Sequence, residues 1–111
     1  MKQTSLILDG GLVTDIPLGK TKRLKHDKGA VLLCNVNGTF FAVSDRCTHE
    51  DASLYLGCLK GERVHCSLHG GEFCVKTGAP LTEPVEVALQ TYVVTVEAGR
   101  IRVSVPLSET R

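Results

Sequence analysis

Short apolar runs separated by turn residues recur along the whole chain, which is the pattern of β-strands and not of helices. No segment keeps a 3.6-residue apolar period beyond one turn, whereas alternating or continuously apolar runs are frequent. We predict strands over these runs: Ser5–Leu8, ended by Asp9-Gly10-Gly11, then Lys20–His26, Ala30–Asn35, Thr39–Val43, Arg63–Cys66, Thr91–Glu97 and Ile101–Val105.

Turn residues between the runs predict two hairpins. Val36-Asn37-Gly38 contains Asn-Gly, the strongest short signal for a hairpin, and Ala98-Gly99-Arg100 lies between the last two runs. Residues 44–82 are rich in glycine and turns and interrupt the regular pattern. The sequence therefore predicts an all-β fold, with an antiparallel sandwich or barrel-like base and residues 44–82 inserted as a subdomain of two loops. Residues 1–111 are expected to form a single domain.

Composition narrows the classes of partner. The chain has 111 residues, 42% of them hydrophobic, a net charge of +1 and no Trp, so neither nucleic-acid nor membrane binding is predicted. No apolar run approaches the roughly 18 residues of a membrane span. The N-terminus lacks the features of a signal peptide, and a cytoplasmic location is expected. In that setting the five cysteines predict reduced thiols and metal binding instead of a disulfide framework.

Two mixed pairs of metal ligands stand in the inserted segment. Cys47 precedes His49 by two positions, and Cys66 precedes His69 by three. Thiolates suit iron–sulfur clusters and imidazole also suits iron; in a Rieske [2Fe–2S] cluster two His replace two Cys on one of the irons. We predict that Cys47 and Cys66 bind one iron and that His49 and His69 bind the other. Structural zinc is the alternative, although zinc sites usually pair like residues at other spacings.

The sequence around these ligands carries a family resemblance. Cys47-Thr-His-Glu-Asp-Ala-Ser and Cys66-Ser-Leu-His-Gly-Gly-Glu-Phe-Cys-Val-Lys-Thr-Gly-Ala-Pro80 resemble the two cluster-binding loops of Rieske ferredoxins from bacterial aromatic ring-hydroxylating dioxygenase systems, such as the biphenyl and carbazole types. The resemblance implies a Rieske fold with a cluster-binding subdomain over about residues 44–82 and one [2Fe–2S] cluster per chain. It also implies a monomer that docks transiently, first with a flavin-dependent ferredoxin reductase and then with a terminal oxygenase. Within the second loop, Gly78-Ala79-Pro80 resembles the proline loop that covers Rieske clusters.

Three positions depart from the high-potential respiratory branch of the same family. The two cysteines that form a disulfide between the loops in that branch correspond to Ala52 and Leu68, and a serine that bonds a cluster sulfur corresponds to Gly71. Hydrogen bonds to the sulfurs are among the factors that set the potential. A midpoint near the low end of the Rieske range, which begins at roughly −150 mV, is therefore expected.

The ligand inventory predicts an electron carrier and not an enzyme. Once four ligands are assigned, only His26 and His65 remain, with no motif for the mononuclear iron that terminal oxygenases bind through two His and a carboxylate. Two alternatives stay open, namely a small Rieske-like subunit of an assimilatory nitrite reductase and a structural zinc module used for interactions.

The other polar and sulfur-containing residues have simpler expected roles. Cys34 lies in an apolar run and is expected in the core. Cys58 and Cys74 are expected to be free thiols, with a disulfide between them as the alternative. Solvated side chains are expected for His26, Glu50, Asp51 and Glu72, with a docking rim as the alternative for the three carboxylates, and His65 is expected at the surface.

Overall fold

The described part of the computed structural model is all-β. It comprises residues 5–27, 29–47, 53–66, 71–82 and 87–106. These residues form nine strands: β1 (Ser5–Leu12), β2 (Thr21–His26), β3 (Gly29–Val36), β4 (Thr39–Ser44), β5 (Cys58–Lys60), β6 (Arg63–His65), β7 (Glu72–Cys74), β8 (Thr91–Glu97) and β9 (Arg100–Pro106). Two single 3₁₀ turns, Val13–Asp15 and Leu54–Leu56, complete the regular structure of these residues. No helix among them is long and apolar enough to cross a membrane.

The strands build two antiparallel sheets of unequal size. The larger has six strands in the order β1-β9-β8-β4-β3-β2, and the smaller has three in the order β5-β6-β7. The two edges of the large sheet approach each other, since Lys22 Nζ on β2 donates a hydrogen bond to the Gly10 carbonyl on β1 at 3.3 Å. The large sheet is therefore a nearly closed barrel, and the predicted all-β, barrel-like base is confirmed.

Both predicted hairpins form, and their turns explain why. Asn37 and Gly38 have φ values of 54° and 95° between β3 and β4, which is the backbone of the turn that Asn-Gly favours. Ala98 and Gly99 have φ values of 50° and 77° between β8 and β9. Both turns have two residues and not the predicted three, because Val36 pairs with Thr39 and Glu97 pairs with Arg100 as strand residues.

The first strand is longer than the sequence predicted. The expected end of the strand at Asp9 was wrong, because β1 continues to Leu12 through a bulge in its pairing with β9 between Asp9 and Gly11. The bulge uses the positive φ of Gly11, 82°, and the Asp9 carboxylate accepts a hydrogen bond from the Gly11 N–H at 2.9 Å. Glycine adopts this conformation without a steric penalty, so here it continues the strand instead of ending it.

Strands β3 and β4 separate two hydrophobic cores. Side chains alternate across a strand, and the continuous apolar run of β3 is buried on both faces. One face lines the barrel interior, with these buried residues: Ile16, Leu24, Val31, Leu33, Ala42, Ile101, Val103 and Val105. The other face meets the small sheet in what we call the loop core: Leu32, Cys34, Val36, Val43, Cys47, Leu54, Val64, Cys66, Phe73, Val75 and Leu89.

Candidate metal centre

The two cysteines of the predicted ligand set are buried in the same apolar cluster. Cys47 follows the end of β4 and is 2% exposed, and Cys66 follows β6 directly and is 0% exposed. Both belong to the loop core. The fold therefore brings together two thiols that stand far apart in sequence. His49 and His69 lie outside the described residues, so their assignment as ligands stays a prediction.

The first ligand segment carries Cys47 and the predicted ligand His49. The chain before it and the chain after it meet at Asp45, and we call this junction the base of the segment. Arg46 and Ser53 form an isolated antiparallel bridge, and the Leu54 N–H donates to the Asp45 carbonyl at 2.6 Å. The Asp45 carboxylate accepts hydrogen bonds from the Ser53 hydroxyl and, at 2.9 Å, from the Tyr55 N–H. The backbone on both sides of the first ligand segment, next to Cys47, is therefore held in place.

The second ligand segment carries Cys66 and the predicted ligand His69. The small sheet joins the chain before it to the chain after it and forms its base. His65 on β6 pairs with Glu72 on β7, and the Cys66 N–H donates to the carbonyl of the buried Gly71 at 2.8 Å. Beneath this base lies Phe73, which is fully buried in the loop core. Backbone bonds between adjacent strands thus hold Cys66 in place.

The segment with the predicted proline loop continues the small sheet beyond β7. The Cys74 N–H donates to the Ala79 carbonyl at 2.9 Å, and the Leu81 N–H donates to the Glu72 carbonyl at 2.8 Å. Phe73 and Pro80 form an isolated bridge between these two bonds. Proline cannot donate to a ladder and is found in sheets at edges, which fits its place on the outer side of β7.

Gly57 brings the supports of the two ligand segments into contact. A Cβ at this position would lie 1.8 Å from the His65 carbonyl oxygen, so only glycine allows the approach. Gly57 ends the 3₁₀ turn that follows the first segment, and His65 precedes Cys66. The two bases are therefore packed directly against each other, backbone on backbone.

The donors that the structure describes fit a metal–sulfur cluster. A thiolate in an apolar environment is costly without a compensating charge, and a metal ion supplies one. Within the described residues no group of three or more His, Cys, Asp or Glu side chains is gathered that could hold a metal ion. Cys47 and Cys66 are thus the described half of the predicted set, and both histidines fall in the segments between the bases described above.

Comparison with known proteins decides the family. A family model described as the Rieske [2Fe-2S] domain matches residues 9–93. The chain belongs to this family. Membership implies one [2Fe–2S] cluster per chain, which the two buried thiols accommodate and which favours iron–sulfur over the zinc alternative.

Relatives and solved structures place the Rieske chain among ferredoxins. It is 41% identical over 95 residues to the 3-phenylpropionate/cinnamic acid dioxygenase ferredoxin subunit of Escherichia coli (strain K12), covering 85% of this chain and 89% of that one. It is 39% identical over 89 residues to the ferredoxin component of biphenyl 2,3-dioxygenase from Rhodococcus jostii (strain RHA1), covering 80% and 83%. The predicted resemblance to dioxygenase ferredoxins is confirmed.

Structural likeness agrees with the sequence comparison. A chain in the complex of reduced oxygenase and oxidised ferredoxin in carbazole 1,9a-dioxygenase matches with a TM-score of 0.85 and 33% identity, covering 93% of this chain and 94% of that one. A chain described as a putative NADH-dependent nitrite reductase small subunit from Mycobacterium tuberculosis matches with a TM-score of 0.78 but 19% identity, over 92% and 96% of the two chains. The second likeness concerns the fold alone.

The remaining cysteines of the Rieske chain are not crosslinked. All five cysteines belong to the described residues, and none is in a disulfide. Cys34 lies in the loop core as predicted, and burial raises the pKa of its thiol to about 12. Cys58 is exposed. Burial raises the pKa of Cys74, but hydrogen bonds from Thr77 and Lys76 outweigh it and leave that pKa below its ordinary value. The expectation of free thiols at Cys58 and Cys74 is confirmed.

Glu72 does not behave as the solvated charge that the sequence predicted. Its carboxylate lies 3.2 Å from His65 Nδ1 and 3.3 Å from Arg63 Nη1, across the β6–β7 pair. The hydrogen bond with His65 is the main cause that lowers the pKa of Glu72, with Arg63 contributing. The expectation of a solvated charge was therefore wrong for Glu72. Its partner His65, with 38% of its side chain exposed, lies at the surface as expected. Glu50 and Asp51 lie outside the described residues.

Sequence reasoning missed Asp45 altogether. Its side chain is 3% exposed, although aspartate is rarely so deeply buried. Its position two residues before the first ligand was a signal of proximity, but burial and partners could not be inferred from the local sequence.

Proposed function

We propose that this chain is the one-electron carrier of a multicomponent aromatic-ring dioxygenase system. It accepts electrons from a flavin-dependent ferredoxin reductase and delivers them to a terminal Rieske oxygenase. The observation that carries the proposal is the burial of Cys47 and Cys66 together in the loop core of a Rieske chain. Relatives about 40% identical that are named as dioxygenase ferredoxins support it.

The cluster assignment follows the motif. Cys47 and Cys66 bind one iron, and His49 and His69 bind the other. When bound, the cluster supplies reversible one-electron exchange. The chain's own contribution is to hold the thiols rigidly from two tied bases and to surround them with apolar side chains, which limits the access of water and tunes the site.

The protein transfers electrons and carries out no substrate chemistry of its own. Its relatives are ferredoxin components, not the oxygenases that they serve. We propose that residues 1–111 form one Rieske domain with its cluster-binding part at about 44–82, acting in the cytoplasm as a monomer. Redox partners of this kind typically meet through small transient interfaces, below about 1,200 Å² in total, which lets one carrier serve two proteins in turn.

The decisive experiment measures iron, acid-labile sulfide and zinc in protein purified without oxygen, with an EPR spectrum after reduction by dithionite. We expect two irons and two sulfides per chain, as the [2Fe–2S] formula requires, and the low average g value of a histidine-ligated cluster. One zinc and no sulfide would overturn the proposal and leave the structural zinc module.

The nitrite reductase alternative is the weaker one, because its support is a likeness of fold at 19% identity. Gel filtration of the protein from its native host separates the two hypotheses. A ferredoxin elutes as a single small chain. Stable co-elution with a large reductase subunit would favour the alternative.

A further inference from the structure

Asp45 is a buried charge that the ligand assignment leaves unexplained. Among the described residues, Asn35 and Asp45 are the buried polar side chains, and Asp45 carries the only carboxylate of that pair. A carboxylate removed from water is costly unless it is paired and hydrogen-bonded. The partners of the Asp45 carboxylate therefore indicate which part of the fold this buried charge holds in place.

The contacts of the Asp45 carboxylate with the residues that the structure describes lead to two places. One oxygen accepts from the Tyr55 N–H at 2.9 Å, and the other accepts from the Ser53 hydroxyl, so both oxygens bind the return of the first ligand segment. The second oxygen also lies 3.0 Å from Nε of Arg23, on the edge strand β2 of the barrel. Asp45 thus links the barrel to the chain that follows the ligand segment.

The backbone of Asp45 reinforces the same connection. Its N–H donates to the Ala30 carbonyl on β3 at 3.0 Å, and its carbonyl accepts from the Leu54 N–H at 2.6 Å. Leu54 packs in the loop core with Cys47. Asp45 therefore attaches the start of the first ligand segment to the barrel. It also attaches the end of the segment to that start.

We propose that Asp45 is a positioning residue for the first ligand segment. Its carboxylate holds residues 53–55 by the hydrogen bonds described above, which we call the clasp, and so fixes the backbone from which the Cys47 side chain extends to the cluster. The inference rests on the proposed function. Removing the charge leaves the thiol present but its base loose, so the cluster is expected to assemble and then to be lost faster. Groups that orient metal ligands typically change metal affinity about 10–100-fold when they are mutated.

The test compares Asp45→Asn with Val103→Ala in protein that holds its cluster. Asparagine keeps the shape but loses the charge that faces Arg23, whereas Val103 is a buried residue of the barrel interior, remote from the clasp. Bleaching of the visible absorbance in excess chelator gives the rate of cluster loss at temperatures equally far below each Tm. We expect about 10–100-fold faster loss in Asp45→Asn and an altered or broadened EPR spectrum, with neither change in Val103→Ala. Equal rates and unchanged EPR spectra in both variants would overturn the proposal.

A second variant covers the case in which Asp45→Asn does not fold. Ser53→Ala removes one hydrogen bond to the carboxylate and leaves the ion pair with Arg23. It is expected to accelerate cluster loss severalfold, less than Asp45→Asn, and a rate equal to that of the unmodified protein would contradict the clasp. Failure of the proposed function is distinguishable, because the unmodified protein would then hold no iron–sulfur cluster.

Discussion

The two ligand segments of this Rieske chain are closed at their bases by different means. The second returns into a strand, so the β6–β7 ladder and the bond between Cys66 and Gly71 close it through the backbone. The first returns into the 3₁₀ turn Leu54–Leu56, which offers no ladder to β4. There one isolated bridge between Arg46 and Ser53 and the backbone bond from Leu54 to Asp45 are supplemented by two hydrogen bonds to the Asp45 carboxylate.

The difference teaches where each segment is vulnerable. Backbone bonds survive most side-chain substitutions, so the second base depends on the packing beneath it. The first base depends in addition on one buried carboxylate, whose hydrogen bonds and ion pair offset the cost of removing it from water. Single substitutions can therefore loosen the first ligand segment through polar contacts and the second mainly through the loop core.

The largest effect is expected at the thiols themselves. Cys66 and Cys34 are both buried in the loop core, but only Cys66 belongs to the ligand motif. Cys66→Ser is expected to abolish cluster assembly, as are Cys47→Ser and His49→Ala, because serine and alanine cannot replace these donors. Iron, sulfide and visible absorbance measure the result.

Cys34→Ser is the matched control for the thiol variants. It should keep the cluster spectrum and lose about 1–3 kcal/mol of unfolding free energy, because a hydroxyl replaces an apolar thiol in the core. Full absorbance in Cys66→Ser or His49→Ala would refute the ligand assignment.

The next largest effect concerns the packing beneath the second base. Phe73→Ala removes a fully buried ring from β7 and should cost about 3–5 kcal/mol of unfolding free energy. Ile101→Val, in the barrel interior, should cost about 0.5–1.5 kcal/mol and leave the cluster intact. Chemical denaturation followed by circular dichroism measures both values. A loss below that of Ile101→Val would show that the ladder alone holds the second base.

A smaller effect is expected where the two bases touch. Gly57→Ala places a methyl group 1.8 Å from the His65 carbonyl oxygen, so the first base must shift away from the second. Overpacking of this kind lowers the free energy of unfolding by about 1–3 kcal/mol. The EPR spectrum should also change, because Cys47 and Cys66 extend from these two bases.

Gly99→Ala is the control for the contact between the bases. Its backbone φ of 77° strains any side chain, but its Cβ would meet no atom within 4 Å. It should lower the Tm without altering the EPR spectrum. If the spectra of Gly57→Ala and Gly99→Ala are equally unchanged, the two bases are mechanically independent.

The same contrast marks what the sequence could predict. Asn37-Gly38 and the apolar runs around it are local signals, so the hairpin and the all-β class followed directly from them. Cys47 and Cys66 could be predicted as ligands because the spacing of the Cys and His residues is itself the signal. Strands β5 and β7, of three residues each, were missed inside the turn-rich segment that the sequence analysis assigned to the two loops.

Asp45 shows why the polar contacts of the site could not be predicted from the sequence. Its burial depends on Arg23, Ser53 and Tyr55, which only the folded chain brings together. Glu72 was misjudged for the same reason, because its partners stand across a strand pair that the sequence did not predict. Tertiary pairing of polar groups leaves little trace in a local pattern.

The smallest effect is expected for the side-chain contacts that Glu72 makes across the second base. Glu72→Gln removes the ionic contacts with His65 and Arg63 but leaves the backbone ladder, so the Tm at neutral pH should fall slightly and cluster loss should hardly change. Because these partners lower the pKa of Glu72, the ionised form stabilises the fold above the ordinary pKa of 4.5, and this contribution disappears as the pH falls through the lowered pKa.

The Tm difference between Glu72→Gln and the unmodified protein should therefore close on acidification. Asp9→Asn serves as the distant control, since the Gly11 N–H and Arg100 lower the pKa of Asp9 on the barrel strand β1. It should show the same closure with no change in the rate of cluster loss. If Glu72→Gln instead accelerates that loss as much as Asp45→Asn does, the second base also depends on a side chain, and the contrast between the two bases fails.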